Sequence, residues 1–170
     1  MHKYILFLDF DGVINSETYA SAKNYWDKHN PQIYINSPFH ADFDPAGIAH
    51  ICHMLDNNPE IQVVVSSAWR YGTPVQELKE YFMNTVLGER IIDKTPYLSA
   101  VQRGVEIKDW LSKNPTEKFA ILDDDDDMDD VRDNFVRTDW RTGVTYLNIH
   151  DCLKIMGLTK EQREEAQNKY

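Results

Sequence analysis

The sequence predicts an α/β fold: a mostly parallel sheet with helices on both faces and a small flap after the first strand. Three observations predict it. Short apolar runs suited to buried strands recur at residues 4–8, 61–65 and 119–122, each too short for a helix. Helix-period patterns lie between them, and such alternation in one domain implies parallel pairing with crossover helices. Polar clusters also follow the apolar runs directly, and open sheets of this kind carry their functional groups outside the carboxyl ends of the strands.

Taken in order, residues 4–8 form the first strand. Residues 16–42 show no period, being interrupted by Pro31, Pro38 and several Asn and Ser, and are expected to form a flap overhanging the strand end. Its Tyr19, Tyr25, Trp26, Tyr34 and Phe39 could stack on a substrate or pack the flap onto the body. A helix is expected over 45–55, with Asp44 as cap, Pro45 at the first helical position and Ile48, Ile51, Cys52 and Leu55 on one face. A second covers 75–86 through Val75, Leu78, Tyr81 and Phe82, and a third 101–111 through Val101, Val105, Ile107 and Leu111. Ile91-Ile92 and Phe135-Val136 are weaker strand candidates. From Asn148, the residues Ile149, Cys152, Leu153 and Met156 mark a docking helix stopping near Gly157. Thr159 and Gln162 then form a capping box for a polar tail. The expected organisation is one domain over 1–158, with 16–42 as an insertion and 159–170 as tail.

A chain of 170 residues buries roughly 70% of its unfolded surface, enough for a core without staples. Only two cysteines are present, and the first apolar run is interrupted by Asp9, which predicts a reduced, cytoplasmic protein with no membrane span. The net charge of −10 argues against a broad nucleic-acid surface, which needs basic residues to displace counterions. A local basic pocket is compatible with it.

Four polar signals carry the chemistry. In Phe7-Leu8-Asp9-Phe10-Asp11-Gly12 the two carboxylates are two residues apart, so they point the same way while the chain is extended, and Gly12 permits a sharp turn. One can attack phosphorus while the other handles the leaving-group proton. Second, Val65-Ser66-Ser67-Ala68-Trp69-Arg70 ends a strand in hydroxyls and a guanidinium. Ser66, with Ser67 beside it, can donate to a phosphate, and Arg70 offers a bidentate fork. Third, Arg103 or Lys108 supplies a helix-borne cation to balance a dianion. Fourth, the acid run from Asp123 to Asp130 follows a strand, and carboxylates so dense repel unless a cation joins them. Hard oxygen ligands leaving room for water and phosphate suit Mg²⁺. Asp123 and Asp124 are the expected ligands, with Asp125 to Asp130 grading into surface. A calcium loop from Asp123, Asp125 and Asp127 fails because Met128 stands where Gly is required and Asn134 where a bidentate Glu is required. A zinc site from His50, Cys52 and His53 lacks further ligands.

With these four signals in this order, the chain resembles the haloacid dehalogenase (HAD) superfamily of phosphatases over roughly residues 4–150. It looks most like the small HAD domains associated with RNA repair proteins, and more loosely like the phosphatase half of phage polynucleotide kinase. The resemblance implies a Rossmann-like sheet, Asp9 as nucleophile forming an aspartyl-phosphate, and Asp11 as acid and then base. It implies that Ser66 and Arg103 hold the phosphoryl group, with Lys108 open as the alternative to Arg103; Gly12, Ser67, Arg70 and Lys108 are the substrate-binding candidates beside them. Mg²⁺ would be bound by the Asp9 carboxylate, the Asp11 backbone carbonyl and Asp123 or Asp124. The implied substrate is a phosphorylated small molecule or a nucleic-acid end. Two other functions compete: a phospho-acceptor signalling domain, which places its acidic pair after the first strand and a lone acceptor Asp later whereas here the longest acid run comes late, and a non-catalytic phosphate-binding module.

Overall fold

The computed structural model describes residues 1–29, 42–99 and 101–167, with side chains through residue 164. Tyr34 and Phe39, expected in the flap, lie outside the described residues.

Five strands form one sheet in the order β3-β2-β1-β4-β5, every neighbouring pair parallel. β1 (His2–Leu8) is central, between β2 (Ile61–Val65) and β4 (Thr116–Asp123), while β3 (Ile91–Lys94) and β5 (Phe135–Arg137) form the edges. Leu8 sits opposite both Val65 and Leu122, so the three inner strands end at the same level. The chain steps outward from β1 to β3 and then returns to β4 beside β1. That reversal opens a crevice at the carboxyl ends, where ligands of open α/β sheets bind.

Strands covered on both faces read as continuous apolar runs. Alternate side chains divide between two cores. Leu6, Leu8, Val63, Val65, Ala120 and Leu122 pack with Ile48 and Ile51 of α2 (Pro45–Asn57) and with Ile149 and Cys152 of α6 (Tyr146–Met156). On the opposite face, Ile5, Phe7, Val64 and Ile121 meet Ile107 and Trp110 of α5 (Arg103–Lys113), together with Met128 and Val131. Asp44 caps α2 by accepting from the Ala46 amide at 2.9 Å, and Gly157 ends α6 at φ 74°. The Thr159–Gln162 box opens the last helix through reciprocal bonds of 3.2 and 3.4 Å. No helix among the described residues is long and apolar enough to cross a membrane.

Three expectations need correction. Glu17–His29 forms a helix, α1, where no element was expected. Pro31 and Pro38 lie beyond it, and none of its residues is buried, so it carries no apolar stripe to read. Ser16 starts it by accepting from the Tyr19 amide at 3.2 Å, and Glu17 and Lys28 suit the ends of its dipole. The helix expected over 75–86 is two pieces, α3 (Val75–Glu80) and α4 (Val86–Arg90). Asn84 between them takes φ 65°, a left-handed conformation that breaks a helix. Of the helix expected over 101–111, Val101 lies before α5 and is exposed, Val105 within it is exposed too, and the buried residues of α5 are Gly104, Glu106, Ile107 and Trp110. A Cβ at Gly104 would collide with the backbone of Met128, so this glycine is the point of contact that sets how the helix is rotated.

Candidate active site

The hydrogen-bond ladder runs one residue past the strand ends. The Asp9 amide donates to Leu122 at 3.0 Å and the Ser66 amide to Leu8 at 2.9 Å, while Thr95 donates to Val65 and Thr138 to Asp123, each at 2.9 Å. Polar side chains of Thr95, Ser66, Asp9, Asp123 and Thr138 thereby line the carboxyl edge, all buried. After Asp9 the chain turns sharply, with Gly12 at φ 66°. A Cβ on Gly12 would overlap the Asp124 carboxylate, so the glycine lets the second acidic segment close on the first.

Asp9, Asp123 and Asp124 each offer an oxygen within 4.8 Å of the others. Asp9 Oδ1 accepts from the Phe10 amide at 2.8 Å and Asp123 Oδ1 from the Asp125 amide at 2.9 Å. Arg103 Nη1 lies 3.4 Å from Asp9 Oδ1 and 3.3 Å from Asp123 Oδ2. Burial, and then the charge of Asp9, push the Asp123 carboxyl above its ordinary range. Asp124 is raised by the same two causes in the same order. Burial opposes the Arg103 charge, yet Asp123, Asp9 and Asp127 hold its pKa above the usual value. One guanidinium thus faces an excess of acid. Asp123 Oδ2 is buried without a hydrogen-bond partner, and these hard oxygens fit a divalent cation.

Ser66 stands beside Asp9, fully buried, and its Oγ has no hydrogen-bond partner among the described residues. Buried hydroxyls are ordinarily satisfied, so this one is placed for a ligand that completes the site. Asp11 lies outside the acid trio. Its Oδ1 accepts from Asn15 Nδ2 at 2.6 Å and from Trp69 Nε1 at 2.9 Å. Beside it opens a pocket of about 480 Å³, lined by Asn15, Tyr19, Lys23, Trp69 and Trp140 among others.

Over residues 5–149 the chain matches the family model described as the HAD domain in Swiss Army Knife RNA repair proteins. It belongs to this family of HAD domains. No curated protein and no solved structure matches it.

Within the HAD domain the expected site residues separate into two groups. Asp9, Ser66, Arg103, Asp123 and Asp124 converge, with Gly12 and Asp11 alongside. Three candidates are engaged elsewhere. Arg70, expected to offer its fork to a substrate, is 2% exposed. Its guanidinium donates to the carbonyls of Ser66, Ser67, Thr95 and Pro96 and to Glu106. Protein groups fill the fork. Lys108, the alternative to Arg103, pairs with Asp130 at 2.5 Å in an exposed position. Ser67 caps the turn after β2 by accepting from the Trp69 amide at 3.4 Å, which occupies it locally.

The acid run is sorted by partner. Asp126 pairs with Arg132 and Arg137. Asp127 and Met128 do not grade into surface: Asp127 Oδ2 accepts from the Arg103 amide at 2.9 Å, its carbonyl accepts from Gly104 at 3.1 Å, and Met128 is buried. This loop therefore fastens the start of α5 and aims Arg103. Sequence reading missed Asn15, Trp69 and Asp127 as site residues. Asn15 carried a signal, lying four residues after Asp11, whereas nothing in the sequence links residue 69 to residue 11.

Proposed function

We propose that this HAD domain is a Mg²⁺-dependent phosphatase that hydrolyses a phosphomonoester through an aspartyl-phosphate on Asp9, with a nucleotide or polynucleotide end as substrate. The observation that carries it is the buried Asp9 carboxylate beside the cation of Arg103, with the hydroxyl of Ser66, which takes no hydrogen bond, at the neighbouring strand end. An anionic nucleophile meets an anionic substrate only where local charge is cancelled. Asp9, the Asp11 backbone carbonyl and Asp123 or Asp124 would hold Mg²⁺, which would supply further cancellation of charge.

An Asp9 oxygen attacks phosphorus and the bond to the leaving oxygen breaks, that oxygen taking a proton from Asp11. Ser66 Oγ and Arg103 donate to the phosphoryl oxygens. Asp11 then takes a proton from water as the water attacks the aspartyl-phosphate, releasing phosphate and restoring Asp9. The insertion over residues 16–42 is short for a full capping domain, which supports a substrate with a bulky or polymeric end. The family description, with its RNA repair context, supports a polynucleotide end, and a terminal phosphate requires no broad basic surface.

The test is turnover of phosphomonoesters, including nucleotides and 3′- and 5′-phosphorylated oligonucleotides, with and without Mg²⁺. Expected is hydrolysis that requires Mg²⁺ and is lost in Asp9→Asn without loss of fold. Undiminished turnover in that variant removes Asp9 as nucleophile.

A further inference from the structure

The structure assigns a positioning role to Trp69 and Asn15: together they anchor Oδ1 of Asp11 and leave Oδ2 to serve the leaving group. This rests on the phosphatase reading and extends it to residues the four signals did not assign.

The direction of both hydrogen bonds is fixed by chemistry. An indole N–H can only donate, so Trp69 Nε1, 2.9 Å away, makes Asp11 Oδ1 an acceptor. The Asn15 amide is oriented by its other end. Its Oδ1 accepts from the Gly12 amide at 3.0 Å, which turns Nδ2 toward Asp11, where it donates to the same Oδ1 at 2.6 Å. A carboxylic acid accepts at its carbonyl oxygen and donates from its hydroxyl. With two donors on Oδ1, Oδ2 is the atom that hands over a proton.

Asp11 is exposed, so burial does not select its rotamer and these two donors do. Each donor is itself held. The Trp69 ring packs against Phe43 at 5.1 Å, Tyr81 at 5.9 Å and Phe10 at 6.3 Å between centroids. Its backbone lies in the turn Ala68–Arg70, which Ser67 caps and the buried Arg70 ties to Thr95, Pro96 and Glu106. The internal use of Arg70 thus has a catalytic consequence, because it fixes the turn that carries Trp69. Trp69 and Asp11 also line the same pocket, so space for a leaving group opens beside this pair. In the step served, the Asp9–phosphorus bond forms, the bond from phosphorus to the leaving oxygen breaks with its electron pair, and the proton on Asp11 Oδ2 passes to that oxygen.

A positioned acid matters most when the leaving group is poor. The experiment measures kcat/KM, which reports phosphoryl transfer to Asp9, for wild type, Trp69→Phe, Asn15→Ala and Asp11→Asn. The substrates run from 4-nitrophenyl phosphate to alkyl phosphates. Trp69→Phe keeps an aromatic ring and removes only the N–H donor, and Asn15→Ala tests the same oxygen independently. Expected is a loss of about tenfold or more on alkyl phosphates with less than about twofold on the nitrophenyl ester, the same pattern as Asp11→Asn in milder form. An equal loss on every substrate, or none, overturns the positioning role while the phosphatase reading stands. Absence of Mg²⁺-dependent turnover in wild type overturns both.

Discussion

Two arginines reach the carboxyl edge of the sheet, and both donate to the carbonyl of Ser66. They are used in opposite ways. Around Arg70 the accounts close: its nitrogens meet four carbonyls and Glu106, whose other oxygen accepts from the Leu98 amide at 2.8 Å. Around Arg103 they stay open. Its Nη1 is shared at 3.3 and 3.4 Å between two carboxylates, of which the nearer oxygen, Asp123 Oδ2, takes no hydrogen bond, and the adjacent Ser66 hydroxyl takes none either. Buried polar groups that are fully satisfied hold a fold together, whereas those left short of partners cost stability and persist where a ligand supplies the difference. By that criterion Arg70 belongs to the scaffold and Arg103 to the site.

Exchanging the two should break the molecule in two different ways. Arg70→Met strands the Glu106 carboxylate and several carbonyls in the interior, and removing one partner of such a buried pair costs about 3–5 kcal/mol. A large drop in the midpoint of urea unfolding is expected, with lost yield of folded protein. Arg103→Met leaves acids that can take up protons or a cation, so a much smaller stability change is expected. Its effect falls on turnover, about 10²–10³-fold for a donor aimed at developing charge. Equal stability losses in the two variants would erase the distinction.

Sequence patterns reveal the central part of this arrangement and miss the periphery for physical reasons. β1, β2 and β4 are covered on both faces toward their carboxyl ends, so residues 4–8, 63–65 and 119–122 read as apolar runs, and parallel pairing brings Asp9, Ser66 and Asp123 to one level once the strands are known. α1 buries nothing and so leaves no period. Arg70 and Arg103 look alike in sequence because what separates them is a partner, and Glu106 lies 36 residues from Arg70. The Trp69–Asp11 contact spans 58 residues and follows from no local pattern.

Protons and cations should compete for the open cluster. Burial and Asp9 raise the Asp123 carboxyl above its ordinary range in the fold, so between its unfolded and folded values the native protein holds a proton that the unfolded chain has shed. Metal-free stability therefore falls as pH rises through that window, by up to about 1.4 kcal/mol per pH unit for one proton. Mg²⁺ binding needs the charged forms, so its stabilising effect grows in the same direction. Calorimetry from about pH 5 to about pH 8, with and without Mg²⁺, should show a rise in Tm on adding metal that widens with pH. In Asp123→Asn the metal-free slope should flatten. A Mg²⁺ increment independent of pH would count against cation binding by these acids.

The finest contrast is between Ser66 and Lys108. Deleting an unpartnered buried hydroxyl breaks no hydrogen bond, so Ser66→Ala should leave stability within about 0.5 kcal/mol. Turnover should still drop about tenfold, the worth of roughly 1.4 kcal/mol of transition-state contact. Lys108→Ala removes an exposed pair with Asp130, whose attraction is screened by water and salt, and should change turnover by less than about twofold, since its ammonium is committed to the surface. A Lys108→Ala loss as large as that of Ser66→Ala would mean that the lysine reaches the phosphoryl group after all, and the division between the open site and its surroundings would have to be redrawn along α5.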